Sequence, residues 1–215
     1  MYDPTNPLIV QSDKTVLLEV NNSRYEAARD ALARFAELEK SPEHIHTYRI
    51  TPLSLWNAAA AGMDAAAIVD ALERFGKYDL PGNVRADVAD YVSRYGRVKL
   101  IKAGDDLRLV SDDAPLLIEI AHHKRLAPLL KGSHPEGGLL VDAAQRGHVK
   151  QALVQFGYPA EDLAGYVDGA ALELRLRQQT LTEGAPFSLR RYQREAAAVF
   201  YAAGSARGGS GVIVL

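Results

Sequence analysis

The hydrophobic pattern of the first fifty residues predicts strands on both sides of one helix. Apolar residues dominate segments 7–11 and 15–20, and the polar triplet 12–14 between them predicts the turn of a β-hairpin. Ser23 and Glu26 have the spacing of a capping box, and the apolar positions that follow predict a helix to about Lys40. Segment 45–50 alternates between its two faces, which predicts another strand.

Segments 52–110 predict three helices followed by a hairpin. Thr51 and Pro52 form a helix start, Asp64 caps the next helix, and a third helix spans 83–95. Segments 98–102 and 107–110 flank a glycine-containing turn. This order is that of a winged helix-turn-helix, in which the third helix reads DNA.

Basic residues on and after this third helix are candidates for contacts with DNA phosphates. They are Arg85, Arg94 and Arg97, followed by Lys99 and Lys102. Asp87 and Asp90 lie on the same helix and weaken that interpretation. The alternative is that this module packs on protein.

The second half of the chain predicts a smaller unit of strands and one helix. A helix over 115–122 precedes strand candidates at 126–130 and 138–141, and a helix over 145–156 ends at Gly157. A helical turn at 161–166, a strand at 172–177 and a polar connector over 178–186 follow. The fold class expected for the whole chain is α+β.

The last segment predicts a helix, a glycine-rich turn and a buried strand. Ser188 is the candidate N-cap of an amphipathic helix, and the uniformly apolar run 212–215 is typical of a central parallel strand. The glycines at 208–211 precede a strand, whereas a phosphate-binding loop follows one, so they indicate a turn.

Composition and charge exclude several classes of site. The chain of 215 residues contains no Cys and has a formal net charge of −2, so a DNA-binding surface would have to be a local patch. The six His residues lack further ligands at metal-binding spacing, and the acidic pairs 105–106, 112–113 and 161–162 indicate turn and cap chemistry. No signal sequence or bilayer-spanning segment is visible, so we expect no membrane association and a cytoplasmic location.

Two stretches carry a resemblance to a known family. Phe-Ser-Leu-Arg-x-Tyr-Gln-x-Glu-Ala at 187–196, with Gly-Gly-Ser-Gly-Val-Ile-Val-Leu at 208–215, resembles the entry into the first motor domain of superfamily-two helicases of the XPB type. Segments 7–13 and 48–56 resemble the N-terminal domain of bacterial XPB-like helicases. The resemblance implies an N-terminal domain over 1–121, a damage-recognition-like domain over 122–186, and the start of motor domain 1 over 187–215, truncated before the P-loop.

The resemblance also implies where nucleotide and DNA bind. In this family the glutamine of the Leu-Arg-x-Tyr-Gln motif, here Gln193, recognises adenine. The resemblance implies that Arg190 or Tyr192 lies near the base or near the P-loop, and that Phe187 can stack on the base. ATP and magnesium would be cofactors of the full-length enzyme; this chain lacks a Gly-Lys-Ser/Thr sequence, and we expect no cofactor and no catalysis from it. Further DNA contacts are expected from Lys124, Arg125, Lys131, Arg146, Lys150, Arg175 and Arg177.

Three functions are therefore considered. The first is the DNA-binding and regulatory N-terminal region of a 3′-to-5′ DNA helicase or translocase in DNA repair, with forked, bubble or damaged DNA and its own motor domains as partners. The alternative is an interaction module that docks a repair or transcription partner, for example a nuclease. A winged-helix transcription factor is disfavoured by the absence of net basic charge.

Overall fold

The chain begins with a four-stranded antiparallel sheet. The computed structural model describes residues 2–165, 175–181 and 184–204, and divides into one unit over Met1–Tyr166 and a second over Val167–Leu215. The first sheet has the order β1-β2-β4-β3, with bounds β1 Leu8–Val10, β2 Thr15–Glu19, β3 Glu37–Lys40 and β4 Ile45–Arg49. The predicted hairpin of β1 and β2 is confirmed, because Leu8 lies opposite Leu18 and Val10 opposite Val16.

The helix predicted from Ser23 to Lys40 is wrong at both ends. Helix α1 spans Tyr25–Leu32 and its N-cap position is Arg24, whose backbone N–H donates to the side chain of Asn22. After Leu32 the chain turns, Phe35 is buried in the core, and 37–40 pairs with β4 as an edge strand. Phe35 and Leu38 continue the helical spacing in sequence, but strand pairing determines the conformation there.

Three helices pack against this sheet. They are α2 Pro52–Ala60, α3 Ala65–Phe75 and α4 Gly82–Arg94. The predicted starts of the first two are confirmed, and the third begins one residue earlier than predicted. Thr51 Oγ1 accepts from the Ser54 backbone N–H at 3.0 Å, and Asp64 Oδ1 accepts from that of Ala67 at 2.7 Å. The first core lies between the sheet and α1, α2, α3 and α4, and its buried side chains include Leu18, Leu32, Phe35, Ile50, Leu55, Ile68, Leu72 and Val88.

A second sheet follows, in the order β7-β8-β6-β5-β9. Its strands are β5 Val98–Ala103, β6 Asp106–Val110, β7 Leu130–Ser133, β8 Leu139–Val141 and β9 Ala160–Asp162, and its helices are α5 Ala114–His122 and α6 Arg146–Phe156. The second core contains Val98, Leu100, Leu109, Ile120, Leu126, Val141, Val149 and Leu153. The α+β class is confirmed.

The hairpin of β5 and β6 forms as predicted, after three helices. Its inward side chains, Val98, Leu100, Leu107 and Leu109, belong to the second core and not to the core of the three helices. The winged-helix arrangement therefore stays a prediction. The proposed domain boundaries also stay predictions; the second sheet takes strands from both sides of position 121.

Two predicted elements in the second half are wrong. Ala127–Leu129 is a 3-10 helix within the segment predicted as a strand at 126–130, and β7 begins only at Leu130. Residues 160–162 form β9, parallel to β5, where the sequence predicted a helical turn from 161. The prediction at Gly157 is confirmed, since this residue ends α6 with a φ of 96°.

In the second unit, helix α7 spans Arg191–Tyr201. The N-cap position is Arg190, so the prediction of Ser188 as N-cap is wrong. Before the helix, Gln179 and Pro186 form an antiparallel bridge. The glycine-rich turn and the strand predicted at 212–215, and most of the strand predicted at 172–177, lie outside the described residues.

Candidate nucleic-acid interface

The best-defined basic site lies at the start of α6. Arg146 is the first residue of that helix, and Lys150 is one turn later on the same face. Both bind the carboxylate of Asp162, the last residue of β9. Arg146 donates from Nε at 2.9 Å and from Nη2 at 2.7 Å, and Lys150 Nζ donates at 2.8 Å. We call these three residues the Asp162 cluster.

Asp162 is an ionised and largely enclosed member of this cluster. Its side chain is 11% exposed. Burial alone would raise the pKa of the carboxyl, but the hydrogen bonds from Arg146 and Lys150 outweigh burial, so the pKa is lower than usual. One negative charge thus faces two positive charges. Arg146 also donates from Nη1 to the Gly165 carbonyl oxygen at 2.6 Å.

Two more of the predicted DNA-binding residues follow α5. Arg125 donates from Nη1 to Gln155 Oε1 on α6 at 2.6 Å, which links this turn to the helix that carries the Asp162 cluster. Lys124 is exposed, and in the parts of the chain that the structure describes it makes no ion pair. The turn thus places two exposed positive charges beside α6.

The arginines of α4 are engaged within the protein. Arg85 forms a salt bridge with Glu73 of α3 on the surface. Arg94 pairs with Asp90 at 2.6 Å, and its guanidinium lies 5.2 Å from the ring centroid of Tyr91 and 5.4 Å from that of Tyr158. A DNA phosphate would have to compete with these contacts.

Arg97 lines a cleft of mixed charge between α4 and the second sheet. The cleft has a volume of about 750 Å³, and its charged lining residues are Arg97, Lys99, Asp112, Asp113 and Glu161. Asp113 is occupied as the N-cap of α5, where it accepts from the Leu116 backbone N–H at 3.1 Å. Because three acids outnumber two bases here, the cleft offers little net attraction to a polyanion.

The predicted nucleotide-binding residues lie in the second unit. Gln193 Oε1 accepts from the Arg190 backbone N–H at 2.9 Å, which fixes the side-chain amide over the first turn of α7. The amide oxygen keeps a second lone pair and the amide nitrogen keeps its N–H donors, so both remain for the adenine edge. Tyr192 and Phe187 are 46% and 43% exposed, which leaves both rings open to a ligand.

Two further predicted DNA-binding residues, Arg175 and Arg177, also belong to the second unit. Both are exposed. They border an apolar hollow of about 460 Å³ that is also lined by Leu176, Leu181 and Phe187. The structure thus places the predicted basic residues in separate groups, of which the residues on and beside α6 form the densest.

The acidic partner of this group was missed by sequence reasoning. The pair Glu161–Asp162 was interpreted as turn chemistry, and that interpretation is wrong because both residues lie in β9. The three residues Ala-Glu-Asp carry no strand signal of their own, and they pair with β5, which is far away in the chain. No local pattern could have revealed the contact.

Other kinds of site find no support in the described part of the chain. Residues 2–165, 175–181 and 184–204 contain no group of three or more His, Asp or Glu side chains placed to hold a metal ion. None of the described helices has the length and apolar character needed to cross a bilayer.

Comparison with a protein-family model identifies the general class of protein to which the chain belongs. Residues 8–133, more than half of the chain, match the family described as "Helicase conserved C-terminal domain". This match places the chain among helicases.

Similarity to individual proteins indicates the type of helicase. The chain is 52% identical over 210 residues to "DNA 3'-5' helicase XPB" of Mycobacterium tuberculosis, covering 97% of this chain and 36% of that protein. The Kineococcus radiotolerans protein of the same name is 49% identical over 210 residues, again 97% of this chain and 36% of that protein. The "General transcription and DNA repair factor IIH helicase/translocase subunit XPB" of Enterocytozoon bieneusi is 27% identical over 160 residues, 74% of this chain and 26% of that protein.

The chain belongs to the XPB-like helicase family, as its sequence motifs predicted. It spans about a third of the length of the bacterial relatives that it matches.

Proposed function

We propose that this chain is the DNA-binding and regulatory region of an ATP-dependent 3′-to-5′ DNA helicase or translocase that acts in DNA repair. The observation that carries the proposal is the 52% identity, over nearly the whole chain, to a protein named as a DNA 3′-to-5′ helicase. Forked, bubble or damaged DNA is the proposed partner, and motor domains in the same polypeptide would supply strand separation. A cytoplasmic location is part of the proposal.

The proposed DNA contact centres on the turn after α5 and the exposed face of α6. Lys124 is exposed and without an ion pair among the described residues, and Arg125 has a neutral amide as its partner. These two residues can meet phosphates without breaking a salt bridge. Arg85, Arg97, Arg175 and Arg177 are further proposed contacts, whereas Arg94 would first have to leave two aromatic rings.

Nucleotide recognition is proposed for Gln193 in the full-length enzyme, with Arg190, Tyr192 and Phe187 around the base. The support is the fixed side-chain amide, which presents a donor and an acceptor together. ATP and magnesium would bind with the help of a P-loop, which this chain does not contain. We therefore expect no phosphate release from ATP above a protein-free control, and no change with Gln193→Ala. Release above that control would contradict the assignment.

A titration of fluorescein-labelled forked DNA at two salt concentrations tests the DNA-binding role. Contacts to phosphates make log K fall linearly with log salt, by about 0.7 to 0.9 per phosphate. Lys124→Ala with Arg125→Ala should weaken binding at low salt and reduce the slope by about 1.4 to 1.8. Arg29→Ala is the control, because Arg29 is an exposed arginine on α1 that already pairs with Asp30.

A second candidate function is docking of a repair or transcription protein. It is favoured by the edge strand β3, in which all four residues are exposed and Leu38 is 52% exposed. An exposed strand edge can pair with a strand from another chain. Absence of DNA binding even at low salt would overturn the DNA-binding proposal and favour this one.

A further inference from the structure

A hollow of about 410 Å³ lies on the exposed side of α6. Its apolar surface comes from Leu129, just before β7, and from Ala152 on the helix. The rest of its lining consists of amide and imidazole side chains, those of Gln145, His148, Gln151 and Gln155. We call this site the glutamine hollow. Its size falls within the range of about 300 to 1,000 Å³ that is usual for small-molecule sites.

The helical spacing places three of these side chains on one face. His148, Gln151 and Gln155 follow one another at intervals of three and four residues, so they form a row along α6. On the other side of the helix, Val149 and Leu153 are fully buried in the second core. The row therefore stands on a helix that is held in place by packing.

Hydrogen-bonding groups of this row are open to a ligand. Gln155 Oε1 accepts from Arg125 Nη1 at 2.6 Å, which leaves the amide N–H donors of Gln155 available. The Gln151 amide and the His148 ring are exposed, and neither makes a hydrogen bond to any residue in the described ranges. The Gln151 amide offers a donor and an acceptor side by side, which matches the edge of a nucleobase. An imidazole such as that of His148 can stack on the face of a base.

The charges around the glutamine hollow favour a nucleic acid as its ligand. Among the lining residues that the structure describes, none is Asp or Glu. Arg125 is attached to the rim through Gln155, and Lys124 precedes it; both are exposed, and neither forms an ion pair within the described ranges. Lys131, by contrast, already pairs with two carboxylates. Uncharged groups inside the hollow and cations beside it match an uncharged base that is joined to anionic phosphates.

The concave shape of the site requires a base that is not paired. In a duplex the base edges lie at the bottom of grooves, where a convex element such as a helix reads them. A hollow instead takes a group that protrudes, and proteins that bind single-stranded nucleic acids bind splayed bases in this way. The glutamine hollow therefore fits the single-stranded part of a fork or bubble.

We propose that the glutamine hollow holds one unpaired nucleobase of DNA, while Lys124 and Arg125 hold the phosphates beside it. In this arrangement Gln151 and Gln155 bind the edge of the base, and His148 stacks on its face. This inference rests on the proposed DNA-binding function and specifies what that function recognises, a base outside a duplex.

The test compares two fluorescein-labelled forks that differ only in their single-stranded arms, which carry ordinary nucleotides in one fork and abasic sugar-phosphates in the other. Both forks carry the same phosphates, so the salt slopes measured between about 50 and about 200 mM salt should agree. The ordinary fork should bind the 215-residue chain about threefold to tenfold more tightly than the abasic fork, as the net gain of one hydrogen bond predicts.

Gln151→Ala tests whether the hollow makes this distinction. The substitution removes one amide, and alanine favours the helix. The variant should bind the ordinary fork about threefold to tenfold more weakly than the wild type does, and it should bind the abasic fork equally well. Its salt slope should be unchanged, because no charge is lost. Gln11→Ala is the matched control, since Gln11 is an exposed glutamine that follows β1 in the first sheet, and both affinities should stay at the wild-type values.

The outcomes distinguish this inference from the function on which it rests. If the wild type binds both forks equally tightly, the base contact is overturned and the DNA-binding proposal stands. The same conclusion follows if Gln151→Ala weakens the binding of both forks by the same factor. If neither fork binds at the lower salt concentration, both proposals are overturned and docking of a protein becomes the better explanation.

Discussion

The guanidinium of Arg94 lies 5.4 Å from the ring centroid of Tyr158. The same guanidinium also lies 5.2 Å from the ring centroid of Tyr91. Tyr91 packs against the first core and Tyr158 against the second. One side chain, held in place by Asp90, therefore connects the helical part of the first core to the second sheet. Arginine suits this position because its planar cation stacks on aromatic faces.

Arg94→Ala should lower the free energy of unfolding by about 1 to 2 kcal/mol, because cation–π contacts contribute about 0.5 to 1 kcal/mol each. Urea denaturation followed by circular dichroism measures this. Arg94→Lys should recover only part of the loss, since an ammonium group does not stack as a planar fork does.

The matched control for Arg94 is Arg85→Ala on the same helix. Arg85 pairs with Glu73 but is half exposed, and surface pairs of this kind contribute about 0 to 1 kcal/mol. If Arg94→Ala proved no more destabilising than Arg85→Ala, the role of Arg94 in connecting the two cores would be wrong.

Gly157→Ala should destabilise the protein by about 1 to 2 kcal/mol, because L-residues are strained in the left-handed region. Gly157 has a φ of 96°, and a Cβ there would lie 3.3 Å from Arg94 Nη1. Gly147→Ala is the opposite control in the same helix: a Cβ at Gly147 meets no atom within 4 Å, and alanine favours helix by up to about 1 kcal/mol. In thermal unfolding, the unfolding temperature should fall for Gly157→Ala and rise for Gly147→Ala. Shifts of the same sign in the two variants would contradict this explanation.

The sequence predicted elements that are specified by local chemistry. Helices α2 and α3 have side-chain caps at Thr51 and Asp64, and α6 ends at a glycine, so each boundary is visible in a few consecutive residues. Strand β3 and strand β9 were missed because each depends on a partner elsewhere in the chain. The apolar spacing of Glu37–Lys40 continues that of helix α1, and it is the pairing with β4 that makes this segment a strand. Ala160–Asp162 has no hydrophobic pattern that predicts a strand, and it forms one by pairing with β5.

The same distinction applies to the candidate site. Basic residues can be read from the sequence, and so can the motif that contains Gln193. The contacts of each basic residue cannot be predicted in this way. Asp162 binds Arg146 and Lys150 from strand β9. Tyr158, just after α6, contacts Arg94. These contacts decide which charges are available to a ligand, and they follow from tertiary packing.

Thr51→Ala should cost about 1 kcal/mol of stability, within the range of about 0.5 to 2 kcal/mol measured for N-cap removal. Thr51 Oγ1 accepts from the Ser54 backbone N–H, and Ser54 Oγ accepts from the Thr51 backbone N–H, both at 3.0 Å. Ser23→Ala is the control: Ser23 has the sequence of a cap, but the N-cap position of α1 is Arg24. Chemical denaturation should show a change below about 0.5 kcal/mol for Ser23→Ala. Equal losses in the two variants would contradict the capping assignment.

The stability contributed by Asp162 should depend on pH. Its pKa is lower in the folded protein than in the unfolded chain, so the ionised carboxylate stabilises the folded state. This contribution is fully present above the unfolded value of about 3.9 and is lost as the pH falls through the lower folded value. Asp162→Asn lacks a titrating group at this position. Urea denaturation should therefore show the wild type more stable than the variant at about pH 7, with a smaller difference at about pH 3.

The matched control for this pH dependence is Asp142→Asn. This substitution removes a solvent-accessible carboxyl whose pKa is lowered mainly by the hydrogen bond from the Ala144 backbone N–H. Solvent screens this charge, so Asp142→Asn should change the free energy of unfolding less than Asp162→Asn does at both pH values. A difference between wild type and Asp162→Asn that stayed constant between neutral and acidic pH would show that the charge of Asp162 does not stabilise the folded protein.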